Sequence, residues 1–226
     1  MVRNTLVFVV ASIGAQFTLG FALAVFFMQR FPGSSIIRGL FLVSWVMPAL
    51  AIGAIWSWIL AADSGVLNFI LKSLGIIEQN IFWKSDPNFS LWAVTIANIW
   101  LGLAFNMLLL SVGLAAIPRD LYEAAEIDGA NAWQRFWKIT VPMMRSTIGA
   151  VLALGLIYTL QQFDLFPPLT EGGPANSSMV AQVWAWQQSF RLYDFARGAT
   201  ISVMMVVLVL IASVIYVRST RQEVHE

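Results

Sequence analysis

Five stretches of this sequence, Leu6 to Met28, Gly39 to Ala62, Leu91 to Ile117, Ser146 to Phe163 and Ala199 to Val217, contain no Asp, Glu, Lys, Arg or His. A bilayer core about 30 Å thick takes about 20 apolar residues per helical crossing, and a backbone facing lipid must satisfy its hydrogen bonds within its own segment. Composition agrees: 59% of the residues are hydrophobic and only 11% charged, where a soluble domain carries about 25% charged residues. The expected fold is all-α, a polytopic membrane helix bundle of five transmembrane helices forming a single domain over residues 1–226. Arg3 ahead of an apolar stretch, with Ile13-Gly14-Ala15 behind it, imitates a cleavable secretory signal. The apolar run continues to Phe27, however, which makes the segment a span.

The chain has no cysteine, and its one histidine, His225, stands next to the C-terminus. A disulfide framework, a thiolate metal site and a cysteine nucleophile are excluded, and the sequence calls for no catalytic residue, metal or cofactor. A net charge of +1 offers no bulk attraction to nucleic acid. The placement of the charges is more informative than their sum, because basic residues near span ends stay on the cytoplasmic side. A cytoplasmic C-terminus puts Arg30, Arg38, Arg119, Arg135, Lys138, Arg145, Arg218 and Arg221 inside, against Arg3, Lys72, Lys84, Arg191 and Arg197 outside. That orientation leaves the N-terminus outside with no helix to carry it there, so one further N-terminal span is expected to be missing.

Between the spans, Gly65 to Ile77 and Ser178 to Phe190 space their apolar residues as interfacial amphipathic helices, with Trp184 and Trp186 as headgroup-level anchors. Pro48, with Gly53 nearby, predicts a kinked or locally unwound second span.

No ionisable side chain lies at membrane depth, which disfavours a proton-coupled pump, and no charge ring or carbonyl filter marks an ion channel. The polar groups in the third and fourth spans are uncharged: Asn98, Asn106, Tyr158, Thr159, Gln161 and Gln162. Such groups suit hydroxyl-rich cargo. Asn98 and Asn106 are separated by about 800° of helical rotation, which brings them within about 80° of each other on one face. A shared cavity and interhelical hydrogen bonding fit this placement equally. Adjacent Gln161 and Gln162 face different directions, so at most one of the two reaches a given pathway; Gln161 and Tyr158 join the two asparagines as candidates.

Pro118 to Arg145 is the longest connection on the inside and is built like structure. Leu121, Ala124, Ala125 and Asp128 form one helical stripe, Gly129 supplies the stop, and Asn131 is placed to cap a second short helix carrying Trp133, Phe136 and Trp137. Pro142 is expected to end the segment before the next span. A sealing connector and a docking element both fit this helix-turn-helix.

The spacing Glu123-Ala124-Ala125, Gly129, then Ile139-Thr140-Val141-Pro142 resembles the EAA loop of the permease subunits of binding-protein-dependent ABC importers, with Val141 where that pattern usually has Leu. Ile117 to Tyr122 and Ile127 to Ala130 resemble the carbohydrate-uptake branch. Phe163-Asp164-Leu165 followed by Thr170-Glu171-Gly172-Gly173-Pro174 is similar to the first permease of the maltose and glycerol-3-phosphate type. The resemblance covers Asn4 to Val217. It implies a translocation subunit of an ATP-driven importer of a sugar or sugar derivative, multi-pass in the bacterial cytoplasmic (inner) membrane. The implied partners are a second permease, two cytoplasmic ATPase subunits and an extracytoplasmic solute-binding protein. Glu123, Ala124, Ala125, Gly129 and Pro142, supported by Asp128 and Ile139, would form the coupling element. Hydrolysis would belong to the partners, because this chain has no G-x-x-x-x-G-K-[ST] phosphate loop. A stand-alone sodium- or gradient-driven carrier for a small polar solute is the alternative, since such carriers can bind ions with the carbonyls of broken helices.

Overall fold

The computed structural model describes residues 1–29 and 31–222, with side chains of the last helix as far as Val214. The side chains of Arg30, Arg218, Arg221 and His225 lie outside the described residues. Every regular element among the described residues is helical. Three helices are long and apolar enough to cross a membrane: α1 (Val2–Phe26), α5 (Ser90–Ala115) and α12 (Phe195–Gln222), the last over Phe195–Val214. Two bent pairs bring the number of crossings to five when each is counted as one span.

The first bent pair is α2 (Ser34–Val46) and α3 (Ala49–Ile59), whose axes meet at 105°. Pro48 has no N–H, and its ring forces the preceding residue out of the helical region. Met47 accordingly sits at φ −71° and ψ 142°. The kink expected at Pro48 is a full break. Gly53 plays no part in it, because it lies inside α3, where a Cβ would stand 2.5 Å from Pro168 Cγ. Its smallness lets α10 (Phe166–Leu169) lie against α3.

The second pair corrects the expectation for Pro142. Helix continues through this residue: α7 (Ala132–Arg135), a π-helical turn (Phe136–Thr140) and α8 (Val141–Met143) form one arm. That arm meets α9 (Arg145–Gln161) at 68°. Because Pro142 cannot donate to the preceding turn, the ladder widens, and the Val141 N–H reaches the Phe136 carbonyl five residues back. The break falls at Met144, at φ −91° and ψ 1°.

Of the two expected interfacial helices, α4 (Val66–Ser73) keeps Phe69 and Ile70 exposed and is pinned by buried Asn68. The Asn68 amide donates to the Ala62 and Ile81 carbonyls at 2.9 Å each and accepts from Trp83 Nε1 at 2.9 Å. The other expectation is overturned. Residues of α11 (Ala181–Trp186) and of the π turn after it (Gln187–Arg191) wedge against α12, with Gln182, Val183, Ala185 and Gln188 buried. Trp184 packs on the core, and Trp186 meets Phe163 with ring centroids 5.5 Å apart, so neither tryptophan is a free surface anchor. Apolar residues occupy too much of the α11 circumference for a one-sided surface helix.

α5 is the most buried of the three long spans, and α1 packs along it, burying Ser12, Gln16, Gly20 and Ala24, a stripe every fourth residue. Two apolar clusters fill the interior. One, around Phe8, Ile52, Val94, Phe166 and Val180, lies at the end opposite α6 (Arg119–Ile127). The other, around Ala24, Leu110, Leu114, Met144 and Val151, lies towards α6. A polar layer separates them.

Candidate functional site

The polar layer surrounds a cavity of about 280 Å³ bounded by α1, the break between α2 and α3, α5 and α9. Asn98, Asn106 and Tyr158 all line it, so the two asparagines share one cavity as their spacing allows. They are 3% and 4% exposed. Gln161 does not reach it. Gln162 does, while Gln161 opens onto a separate groove of about 480 Å³ between α9, α11 and α12. Gln16 is the residue missed from sequence. A lone glutamine in an uncharged run is a costly occupant of a span, which was the available signal.

Hydrogen bonding divides the lining groups into spent and unspent. Gln16 Nε2 donates to the Asn98 carbonyl at 2.7 Å, and Asn106 Nδ2 donates to the Gly102 carbonyl at 2.9 Å. Asn98 Nδ2 and Gln162 Nε2 are buried and bond to nothing in the protein. Buried polar groups are ordinarily paired, and leaving one unpaired costs about 1 to 3 kcal/mol. Two residues lining one uncharged cavity thus carry buried, unpaired amide donors, which a hydrogen-bond acceptor would relieve only once the lining moves to expose them. Tyr158 is 57% exposed and packs edge-on against Phe105 with centroids 5.5 Å apart, at the flank of α9.

At one end of the bundle, α6 and the arm α7 to α8 form the expected helix-turn-helix. The turn chemistry is local. Gly129 adopts φ +77°, the Ala130 N–H bonds the Ala125 carbonyl at 2.8 Å, and the Gly129 N–H bonds the Glu126 carbonyl at 3.0 Å. These are the paired bonds of a Schellman stop. Asn131 and Gln134 exchange side-chain-to-backbone bonds at 2.9 Å each, a capping box at the start of α7. Two contacts then clamp α6 to the arm: the Glu126–Arg135 ion pair and the Tyr122–Thr140 hydroxyl bond at 2.9 Å.

No residue of α6 is buried. Glu123 and Ala124 face out with Leu121, Asp128 is exposed beside the cleft between α6 and the arm, and Ala125 is half-buried and turns towards the arm. Ala125, Asp128 and Gly129 line a cleft of about 370 Å³ together with Arg135, Lys138 and Ile139. The stripe expected from spacing is thus split between an outer face and this cleft. Pro142 is half-buried within the arm. Ile127 is 88% exposed and Trp133 70% exposed. These apolar side chains mark the loop as a surface that something covers.

Residues 16–222 match the family described as binding-protein-dependent transport system inner membrane component. The chain belongs to this family. Its fold is also that of solved ABC importers. A bacterial alginate ABC transporter in complex with an alginate pentasaccharide-bound periplasmic protein superposes with TM-score 0.85 over 98% of this chain and 77% of that one, at 19% identity. An inward-facing methionine ABC transporter gives TM-score 0.65 at 18% identity, over 97% of this chain and 93% of that one. Among sequence relatives, the trehalose/maltose transport system permease protein of Thermococcus litoralis is 34% identical over 217 residues, covering 96% of this chain and 72% of the relative. The sulfoquinovosyl glycerol transport system permease protein of Agrobacterium fabrum is 31% identical over 218 residues, covering 96% and 70%.

As a multi-pass inner-membrane component, this permease carries one further ordered element at the end opposite α6. The segment Thr170 to Pro174 folds back on itself, with Ser178 Oγ donating to the Gly173 carbonyl at 2.7 Å. It is tied to the start of α1: Asn4 Nδ2 donates to the Ser177 carbonyl at 2.9 Å, and the Ala181 N–H donates to Thr5 Oγ1 at 3.0 Å. The Ser90 and Ser177 hydroxyls, 2.7 Å apart, add the start of α5.

Proposed function

We propose that this chain is one of two permease subunits of an ATP-driven importer for a sugar or sugar derivative, and that the cavity holding Gln16, Asn98, Asn106, Tyr158 and Gln162 is its half of the cargo path. The carrying observation is a cavity lined by uncharged polar residues and no ionised side chain, where two of those residues, Asn98 and Gln162, hold buried, unpaired amide donors. Hydroxyl and ether oxygens accept from such donors without the desolvation cost of an ion. The named substrates of the Thermococcus and Agrobacterium relatives support a carbohydrate cargo.

In this proposal, the whole chain acts as one transmembrane unit in the bacterial cytoplasmic membrane with its C-terminus inside. An extracytoplasmic solute-binding protein delivers cargo at the end bearing Thr170 to Pro174. Two cytoplasmic ATPase subunits hydrolyse the ATP, and one of them receives the outer face of α6 through Glu123, Ala124 and Asp128. Ala125 and Gly129 set the shape of that helix end, while Ile139 and Pro142 shape the arm behind it.

Asn98→Leu and Asn106→Leu in the complete complex are expected to leave assembly intact. At least one should lower ATP-driven uptake of trehalose or maltose about tenfold, the effect of removing one or two hydrogen bonds worth about 1 kcal/mol each. Normal transport by both assembled variants would place the path elsewhere. Single cysteines, introduced into a chain that has none, test the orientation. Position 135 should label only from the cytoplasmic side and position 84 only from outside. Outside labelling at position 135 in intact cells reverses the topology.

A further inference from the structure

Gln182 stands on α11, yet its Nε2 donates to the carbonyl of Gln162 at 3.0 Å. Gln162 is where α9 stops, at φ −69° and ψ 101°. A carbonyl released at a helix end needs a donor from elsewhere, and Gln182 supplies it. The same residue lines the cavity with its side chain, whose Nε2 is buried and unpaired.

Gln182 is only 8% exposed, and its Oε1 has no partner. An apolar side chain of the same length would fill this space without leaving a buried oxygen unpaired. The amide is thus held in place by one bond, the one to Gln162. α11 and the π turn after it are fastened to the surface opposite α6 beside Gln182 and again beyond Trp186. The Ala181 N–H bonds Thr5 Oγ1 at 3.0 Å, Gln187 Nε2 donates to the Glu171 carbonyl at 3.1 Å, and Arg191 pairs with the Glu171 carboxylate.

We propose that Gln182 is a positioning residue for transport: through the Gln162 carbonyl it aims the free amide donor of the cavity and ties that donor to the position of α11. A displacement of the outer surface at Glu171 or Thr5 then reaches the cavity along one hydrogen bond. The inference rests on the proposal that this cavity takes cargo, but its first test does not.

A single cysteine at position 162 is labelled with N-ethylmaleimide in membranes containing the assembled complex, with Gln182 retained or replaced as Gln182→Met. The methionine should change the labelling rate at position 162 by about fivefold, the scale of one lost hydrogen bond, and leave a control cysteine at position 135 unaltered. An unchanged rate at position 162 overturns the inference. Should the methionine variant fail to insert, Gln182→Leu, which likewise supplies no donor, serves the same comparison. A second readout is uptake of trehalose or maltose per ATP hydrolysed. Gln182→Met and Gln162→Met should each lower this ratio, and the double variant should be no worse than Gln162→Met alone. Losses that multiply independently overturn the inference. A response at position 162 together with normal transport by Asn98→Leu and Asn106→Leu removes the cargo path instead.

Discussion

Uptake should fall about tenfold in a Gly129→Val subunit that still inserts and still pairs with the second permease, since 1 to 2 kcal/mol of strain at φ > 0 is a factor of about 5 to 30 in population. Space is not the obstacle, because a Cβ at Gly129 would meet no atom within 4 Å. The obstacle is backbone conformation. Gly129 holds φ +77°, and a β-branched side chain disfavours that region strongly. Relaxing the strain breaks the bonds from Gly129 and Ala130 to the carbonyls of Glu126 and Ala125, which frays the end of α6. The measurement is co-purification of the ATPase subunits, followed by binding-protein-stimulated hydrolysis and uptake in proteoliposomes. Gly129→Asn, which tolerates φ > 0, should recover much of the loss, whereas loss of side-chain contact space would predict no such recovery. Ala124→Trp tests the outer face, and Ala125→Trp tests the cleft between α6 and its arm. Wild-type coupling in all these variants would make the loop a connector.

A large effect on folding is expected at Gly20. A Cβ there would stand 2.7 Å from Asn106 Cβ and 3.1 Å from the Met107 backbone nitrogen, so no flexible side-chain tip can yield. Gly20→Val forces α1 away from α5, the helix that carries both cavity asparagines. Overpacking of this kind costs about 1 to 3 kcal/mol, and the upper end is expected because backbone is involved. Gly14→Val is the control. It lies in the same helix and carries the same propensity change, but its Cβ would meet no atom within 4 Å. Thermal midpoints in detergent and the yield of assembled complex should fall for Gly20→Val and stay near wild type for Gly14→Val. Equal losses would mean that helix propensity, rather than the close contact, sets the stability of α1.

What residues in sequence order decide was legible before any tertiary contact was known. The membrane class follows from the length of uncharged runs, because the cost of burying charge in hydrocarbon depends on composition alone. The stop at Gly129 and the cap at Asn131 follow from turn chemistry confined to a few neighbouring residues. The break at Pro48 follows from a missing N–H, although its 105° angle does not.

Tertiary structure decided the rest. Helical periodicity says that Gln161 and Gln162 point about 100° apart, but only packing of α9 against α1, α5 and α12 sets the rotation that turns Gln162 to the cavity. Gln16, Asn98 and Gln162 sit on three different helices, and no spacing rule connects them. The Glu126–Arg135 and Tyr122–Thr140 clamps likewise join residues across a turn whose closure angle the neighbours fix. Pro142 stays inside a helix because the π turn ahead of it absorbs the missing donor, a compensation that local propensity does not foretell. The apolar residues of α11 suggest a surface helix yet form a wedge against α12, since hydropathy measures the wish to leave water and not the partner. The sequence by itself determined which segments leave water and where the chain must turn; the rotation of each helix, and so which polar groups share the cavity, came from contacts between distant segments.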